Sequence, residues 1–133
     1  MNKAKEILQM KTSYALLGAT RDMLKYSYEL LFTLLDAGYT VYPINPKYET
    51  IENLTCYPGL HALPEKPEVV LMVFAPQNTE KLLDQVFAYD PEVIWMPPGS
   101  WSEAAVKTCE AAGKQVLYNV CPIGTLRQMG RIK

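Results

Sequence analysis

Short apolar runs alternate along the chain with longer segments in which apolar residues recur at helical spacing. Residues 13–17 form a nearly continuous apolar run, as is typical of a central strand that is covered on both faces. A helical pattern then opens near Ser27, places Leu24 and Leu31 on one face, and ends at Gly38. Further strands are predicted at residues 40–44, 68–74, 93–96 and 115–120, and further helices at residues 2–10, 78–89 and 100–112.

This alternation predicts an α/β fold in which a doubly wound, five-stranded, mostly parallel sheet carries helices on both faces. The chain has 133 residues, a length that suits a single domain spanning residues 1–133. Residues 49–66 contain prolines and a glycine, and they are predicted to form an irregular crossover with a weak helical turn. Residues 125–133 are predicted to be a tail.

Composition narrows the classes of partner. The formal net charge is −1, so the protein has no overall field that would recruit nucleic acid or a membrane surface. No apolar stretch approaches the roughly 20 residues of a membrane span, and no signal peptide is expected. The three cysteines are widely spaced, which favours free thiols in a reducing compartment, and we therefore expect a cytoplasmic protein. A structural zinc site is not expected, because His61 is the only histidine.

Candidate ligand-binding residues follow the predicted strands, because an open α/β sheet binds ligands beyond the carboxyl ends of its strands. The first such loop, residues 18–25, keeps Gly18 but lacks the full G-x-G-x-x-G spacing, so the dinucleotide signal is weak. Backbone N–H groups and the hydroxyl of Thr20 are suited to a phosphate there. Arg21 and Lys25 add positive charge, although both are also compatible with plain solvated surface.

The end of the second strand discriminates between nucleotides. A NAD site needs an acidic residue there to accept hydrogen bonds from the ribose, but this chain has Asn45-Pro46-Lys47. A cation suits a phosphorylated ribose, as in NADP or coenzyme A, and these residues leave both cofactors open. Tyr48 is placed either to stack on a base or to cover the loop.

No catalytic set emerges from the sequence. His61 lies in the crossover and is expected to serve the surface or packing. Cys121 follows the last strand, where it is either a reactive thiol or a small buried residue in a tight turn. Trp95 precedes the Pro-Pro-Gly turn and is expected in the core rather than on a stacking platform.

Several stretches together resemble a known family, the small stand-alone CoA-binding proteins, which are similar to the nucleotide-binding domain of the succinyl-CoA synthetase α subunit. The resemblance runs from about residue 13 to residue 124, which is nearly the whole domain. The stretches that carry it are Leu17-Gly18-Ala19-Thr20, residues 37–48, residues 56–60, Trp95 with Gly99, and Asn119-Val120-Cys121-Pro122.

The resemblance implies a Rossmann-like, NAD(P)-binding-like fold that binds coenzyme A, and it leaves NADP, which the residues after the second strand also allow, as the second choice of cofactor. The resemblance does not imply ligase activity for this chain. Succinyl-CoA synthetase, which is a ligase, works through a phosphorylated histidine on a further domain, whereas His61 matches only a connecting segment. By this resemblance the cofactor-binding residues are Gly18, Ala19, Thr20 and Lys25 at the phosphates, with Arg21 nearby; Asn45, Pro46, Lys47 and Tyr48 at the phosphorylated ribose; Ala75 and Pro76 on the adenine side; and Trp95 and Cys121 on the pantetheine path.

The sequence therefore predicts a non-catalytic protein that binds coenzyme A or an acyl-CoA. Two enzymatic alternatives remain, an enzyme that acts on CoA thiols or thioesters through Cys121 and an NADP-binding reductase-like protein. A third alternative is an interaction protein whose pocket no longer binds a nucleotide. The expected partner is a small nucleotide ligand, without nucleic acid or membrane, and a protein partner or a homo-oligomer stays open.

Overall fold

The computed structural model describes residues 2–132. In chain order its elements are α1 (Lys3–Met10), β1 (Ser13–Leu17), α2 (Tyr26–Asp36), β2 (Thr40–Ile44), β3 (Thr50–Ile51), β4 (Leu54–Thr55), a 3-10 helix (Leu60–Ala62), β5 (Val69–Met72), α3 (Pro76–Tyr89), β6 (Val93–Met96), α4 (Glu103–Ala111), β7 (Val116–Tyr118) and α5 (Pro122–Gln128).

The main sheet has five strands in the order β2-β1-β5-β6-β7, and every neighbouring pair is parallel. This arrangement confirms the predicted doubly wound α/β fold. The chain moves outward from β1 to β2 and then crosses to β5 on the other side of β1. The strand order therefore reverses between β1 and β5, and ligands of such sheets bind outside the carboxyl ends of the strands at this switch point.

Both faces of the sheet are covered, as the continuous apolar strands predict. Along β1, Tyr14 and Leu16 belong to one core cluster, whereas Ala15 and Leu17 belong to the other. Helices α1, α2 and α5 supply the first cluster, and α3 and α4 supply the second together with residues 57–63. The sheet thus separates two apolar layers, and its carboxyl edge is left for the loops.

The carboxyl-terminal segment corrects the sequence prediction. Residues 122–128 were expected to be a loop and a tail, but they form α5, whose Ile123 and Leu126 are buried against the core. Pro122 is the first residue of this helix, a position that tolerates proline because its N–H would have no partner there. The helix packs against α1 and α2.

Several element boundaries also differ from prediction. Helix α4 begins at Glu103 rather than at residue 100, and the side chain of its cap, Ser102, accepts a hydrogen bond from the backbone of Ala105 at 3.0 Å. Helix α3 begins at Pro76, two residues before its predicted start at residue 78. Leu24, expected on the buried face of α2, is 96% exposed because the helix begins only at Tyr26. The crossover contains the predicted helical turn and also an unpredicted hairpin of β3 and β4.

Within residues 2–132, no helix combines the length and the apolar character that crossing a membrane requires. The same residues bring no group of three or more histidine, cysteine or carboxylate side chains together in a way that would hold a metal ion.

Candidate functional site

A cleft of about 910 Å³ opens at the carboxyl ends of β2, β1 and β5, beside the switch point. This volume falls within the range of roughly 300–1,000 Å³ that is typical of small-molecule sites. Six parts of the chain form its walls. The lining residues are Leu17, Gly18, Ala19, Thr20, Lys25, Tyr26, Ser27, Ile44, Asn45, Pro46, Lys47, Tyr48, Pro58, Gly59, Leu60, Val73, Phe74, Ala75, Asn78, Leu82, Gln85 and Val86.

Gly18 fixes the start of the first loop, residues 18–25. Its φ is +88°, and a Cβ added there would lie 2.2 Å from the carbonyl oxygen of Val73. Only glycine combines this backbone conformation with so close an approach. The N–H groups of Gly18 and Ala19 both donate to the carbonyl of Ile44 at 3.2 Å. The loop is therefore held between β2 and β5, at the floor of the cleft.

The rest of the first loop leads into a helix N-terminus that faces the cleft. The hydroxyl of Thr20 accepts a hydrogen bond from the N–H of Asp22 at 3.1 Å, so it orders the loop. Lys25 is the cap residue of α2, and no side chain caps this helix. The first-turn N–H groups of a helix have no intrahelical partners and carry partial positive charge, which makes this end suited to an anion.

Asn45 ties the loop after β2 to the first loop. Its Nδ2 donates to the carbonyl of Ala19 at 2.8 Å, and its Oδ1 accepts from the N–H of Lys47 at 2.9 Å. Behind it, the thiol of Cys56 donates to the Asn45 carbonyl at 3.6 Å, and burial raises the pKa of this thiol. Asn45 lines the cleft as predicted, but its carboxamide is occupied in holding two loops together.

The cleft is positively charged. Lys25 and Lys47 both line it and are exposed, whereas none of the described lining residues is a carboxylate. Tyr48 lies between these groups and the hairpin, with the Arg21 guanidinium 5.1 Å from its ring centroid. This pairing holds the ring through a cation–π contact. The arrangement can bind an anionic ligand that carries more than one phosphate.

Most of the predicted binding residues meet in this cleft. Those that line it are Gly18, Ala19, Thr20, Lys25, Asn45, Pro46, Lys47, Tyr48 and Ala75. The structure does not bring Arg21, Pro76, Trp95 or Cys121 to its surface.

Two of these four residues, Arg21 and Trp95, make hydrogen bonds that stabilise the fold. The Nε of Arg21 donates to the carbonyl of Thr50 at 2.8 Å and its Nη2 donates to the Thr50 hydroxyl at 3.1 Å, so the guanidinium joins the first loop to the hairpin. Trp95 is completely buried, and its indole N–H donates to the carbonyl of Val120 at 2.9 Å. Trp95 is thus a core residue that positions the last loop, not part of a path open to ligand.

The other two lie just behind the lining. Pro76 is the first residue of α3, after the lining residue Ala75. The sulfur of Cys121 lies 2.9 Å from the hydroxyl oxygen of Tyr26, and these groups are hydrogen-bonded to each other. Tyr26 lines the cleft whereas Cys121 does not, and burial, followed by this hydrogen bond, raises the pKa of the Tyr26 hydroxyl.

Sequence reasoning missed three parts of the wall: the start of α2, the segment 58–60, and one face of α3. The segment 58–60 carried part of the family resemblance but was interpreted only as a connection. On α3 the pattern was interpreted as a core face because it contains Leu82. The recurrence of Asn78, Leu82 and Gln85 at positions i, i+4 and i+7 is the signal that could have identified a mixed polar and apolar face.

Replacing Asn45 is expected to loosen both loops of the cleft. Asn45→Ala removes two hydrogen bonds, each of which contributes about 0.5–1.5 kcal/mol, so we expect a loss of about 1–3 kcal/mol in the free energy of unfolding. Asn45→Asp keeps the acceptor for Lys47 but places a carboxylate against the carbonyl of Ala19, and should cost at least as much at neutral pH. Urea denaturation measures both. An alanine variant as stable as wild type would contradict this role.

Comparison with known proteins places the chain in a family. A model of the family described as CoA binding domain matches residues 12–126. Uncharacterized protein YneT of Bacillus subtilis is 22% identical over 117 residues, which are 88% of this chain and 87% of YneT. The ADP-forming acetate–CoA ligase I of Archaeoglobus fulgidus is 26% identical over 93 residues, which are 70% of this chain but only 14% of the ligase.

A solved structure supports the same relationship. The hypothetical protein from Pyrococcus horikoshii OT3 superposes with a TM-score of 0.87 at 30% identity, covering 94% of this chain and 88% of that one. The region matched by the family model, residues 12–126, contains the whole cleft and all five strands of the main sheet. The chain therefore belongs to the CoA-binding domain family, as the resemblance in its sequence predicted.

Proposed function

We propose that this protein binds coenzyme A or an acyl-CoA in the cleft and does not transform it. The observation that carries the proposal is the positive end of the cleft, where the uncapped start of α2, Lys25 and Lys47 converge without a lining carboxylate. A ligand with a pyrophosphate and a further phosphate on its ribose matches this charge pattern. We also propose that residues 1–133 act as one domain with its core at about 13–124.

Membership of the family supports one of the two cofactors that the sequence left open. Both NADP and coenzyme A carry a phosphorylated ribose that Lys47 could meet, but the match to the CoA-binding domain family favours coenzyme A. An acidic residue at the end of β2 would favour NAD, and Asn45-Pro46-Lys47 stands there instead.

The chemistry of the lining supports binding without catalysis. Among the described residues that line the cleft, none is a histidine, a cysteine or a carboxylate, which are the side chains that most often act as general acids, bases or nucleophiles. Cys121, the candidate nucleophile of the thioester alternative, does not line the cleft and is hydrogen-bonded to the hydroxyl of Tyr26. No feature of the cleft favours that alternative over simple binding.

Isothermal titration calorimetry with CoA, acetyl-CoA, NADP and NAD tests the proposal. We expect CoA and acetyl-CoA to bind with a Kd below about 1 mM, which corresponds to about −4 kcal/mol, and NADP and NAD to bind more weakly. Acetyl-CoA incubated with the protein should remain intact by chromatography. Tighter binding of NADP, or no CoA binding by protein whose circular dichroism shows the folded state, would refute the binding proposal. Loss of acetyl-CoA that depends on Cys121 would instead favour the enzyme.

A further inference from the structure

One face of α3 presents two free carboxamides to the cleft. Asn78, Leu82 and Gln85 recur at i, i+4 and i+7, so they lie along one side of the helix, and all three line the cleft. Neither the Asn78 nor the Gln85 side chain has a hydrogen-bond partner among residues 2–132. Asn45 provides a contrast, because both its carboxamide nitrogen and its carboxamide oxygen are hydrogen-bonded to the backbone.

This part of the cleft differs in character from the phosphate end. Here the carboxamides are accompanied by Leu60, Phe74 and Leu82, and no charged side chain lines the cleft from α3 or from residues 58–60. The lysines of the cleft come from the first loop and from the loop after β2. A ligand that places its phosphates at the lysines therefore has an uncharged, hydrogen-bonding group for the α3 wall.

We infer that Gln85, assisted by Asn78, reads the base of the bound nucleotide and selects adenine. A carboxamide offers a donor and an acceptor side by side, and adenine offers the complementary pair of an amino group and a ring nitrogen. On the edge where adenine presents its N6 amino group and N7, hypoxanthine presents two acceptors, O6 and N7, so a carboxamide cannot form the same bidentate pair there. The inference rests on the proposed function, since it names the group that the same cleft recognises.

Gln85 is the stronger determinant because of its surroundings. It lies next to Val86 and one turn from Leu82, and both of these apolar residues line the cleft. Gln85 itself is exposed, so a base must pack over Leu82 and the Gln85 carboxamide to shield the pair from water, and a mismatched edge would then leave polar groups without partners. Asn78 lies in the first turn of α3, close in the chain to the lining residue Ala75, and acts as the second contact.

The test compares CoA with its analogue in which hypoxanthine replaces adenine, by calorimetry on wild type, Gln85→Leu, Asn78→Leu and the control Gln77→Leu. Gln77 is exposed on the same helix but does not line the cleft. Wild type and the control should prefer CoA by about 5- to 100-fold, the discrimination expected of one bidentate carboxamide–adenine pair. Gln85→Leu should reduce this ratio to near one, and Asn78→Leu should reduce it partly. A ratio within one variant does not depend on the fraction of protein that is folded.

The outcomes distinguish failure of this inference from failure of the proposed function. If wild type fails to bind CoA, the proposed function is refuted. If wild type binds CoA but shows no preference over the hypoxanthine analogue, or if Gln85→Leu keeps the preference, the inference alone is overturned. An equal loss of affinity for both ligands in Gln85→Leu would likewise overturn it, because the side chain would then contact the pantetheine amides rather than the base.

Discussion

Gly18→Ala is expected to lower the free energy of unfolding through both backbone strain and overpacking. We expect the overpacking to cost about 2 kcal/mol or more in addition to the strain. The φ of Gly18 is +88°, so any L side chain there is strained. In addition, the new Cβ would lie 2.2 Å from the carbonyl oxygen of Val73, a backbone atom that cannot move aside without breaking the contact between β1 and β5. The substitution therefore combines strain with overpacking at the switch point of the sheet.

Gly99→Ala is the matched control for this prediction. The φ of Gly99 is +86°, nearly that of Gly18, but an added Cβ would meet no atom within 4 Å. It should therefore cost only the strain of an unfavourable backbone conformation, about 1–3 kcal/mol. Urea denaturation of both variants gives the difference. Equal losses of stability would show that the sheet yields to the added methyl group, and that the close approach of β1 to β5 is not a constraint.

The strands could be predicted because their signal is local. In β1, β5 and β6 nearly every side chain is buried, so the pattern of a doubly covered strand is complete within four or five residues. Gly38 marked the end of α2 for the same reason, since its φ of +99° is a requirement of a single residue. These features do not depend on knowing which other element lies nearby.

The carboxyl-terminal helix escaped prediction because its stability is tertiary. Helix α5 has only 7 residues, begins with Pro122 and contains Gly124, and so short a sequence has little helical preference of its own. Its apolar Ile123 and Leu126 become informative only once α1 and α2 are known to cover the same face. Leu24 shows the opposite error, because its spacing fits the helix while the loop keeps it in solvent.

The binding residues, like the elements of the fold, could be predicted where the signal is local and could not where it depends on a distant contact. The loops after β1, β2 and β5 lie where the cleft opens, as predicted, because strand direction alone places them there, whereas the loops after β6 and β7 do not line it. The position of the Arg21 side chain depends instead on its hydrogen bond to Thr50, which is 29 residues away in the chain. The position of Trp95 likewise depends on its hydrogen bond to Val120, which is 25 residues away. Charge indicated a phosphate contact for Arg21, and the family resemblance placed Trp95 on the pantetheine path, but in each case the polar group is hydrogen-bonded to a distant part of the chain.

Lys47→Met is expected to abolish most of the preference of this protein for CoA over dephospho-CoA, which lacks the phosphate on the ribose. Lys47 follows Asn45, whose side chain accepts from the Lys47 N–H at 2.9 Å and so fixes the backbone of this loop in the cleft. A charge-assisted contact with phosphate contributes about 1.5–3 kcal/mol. Because the side chain is exposed and screened by salt, we expect about a tenfold loss of CoA affinity.

Variants of two other lysines serve as controls for this prediction, Lys25 in the same cleft and Lys107 outside it. Lys25→Met should weaken CoA and dephospho-CoA to a similar extent, because Lys25 lies at the start of α2, where the pyrophosphate common to both ligands is proposed to bind. Lys107→Met, on α4 and outside the cleft, should change neither affinity. Calorimetry with both ligands at low and at high salt completes the test, since the effect of Lys47→Met should shrink as salt rises. A CoA preference that survives Lys47→Met would mean that another group holds the ribose phosphate, and the charge at the end of β2 would then not explain the choice of cofactor.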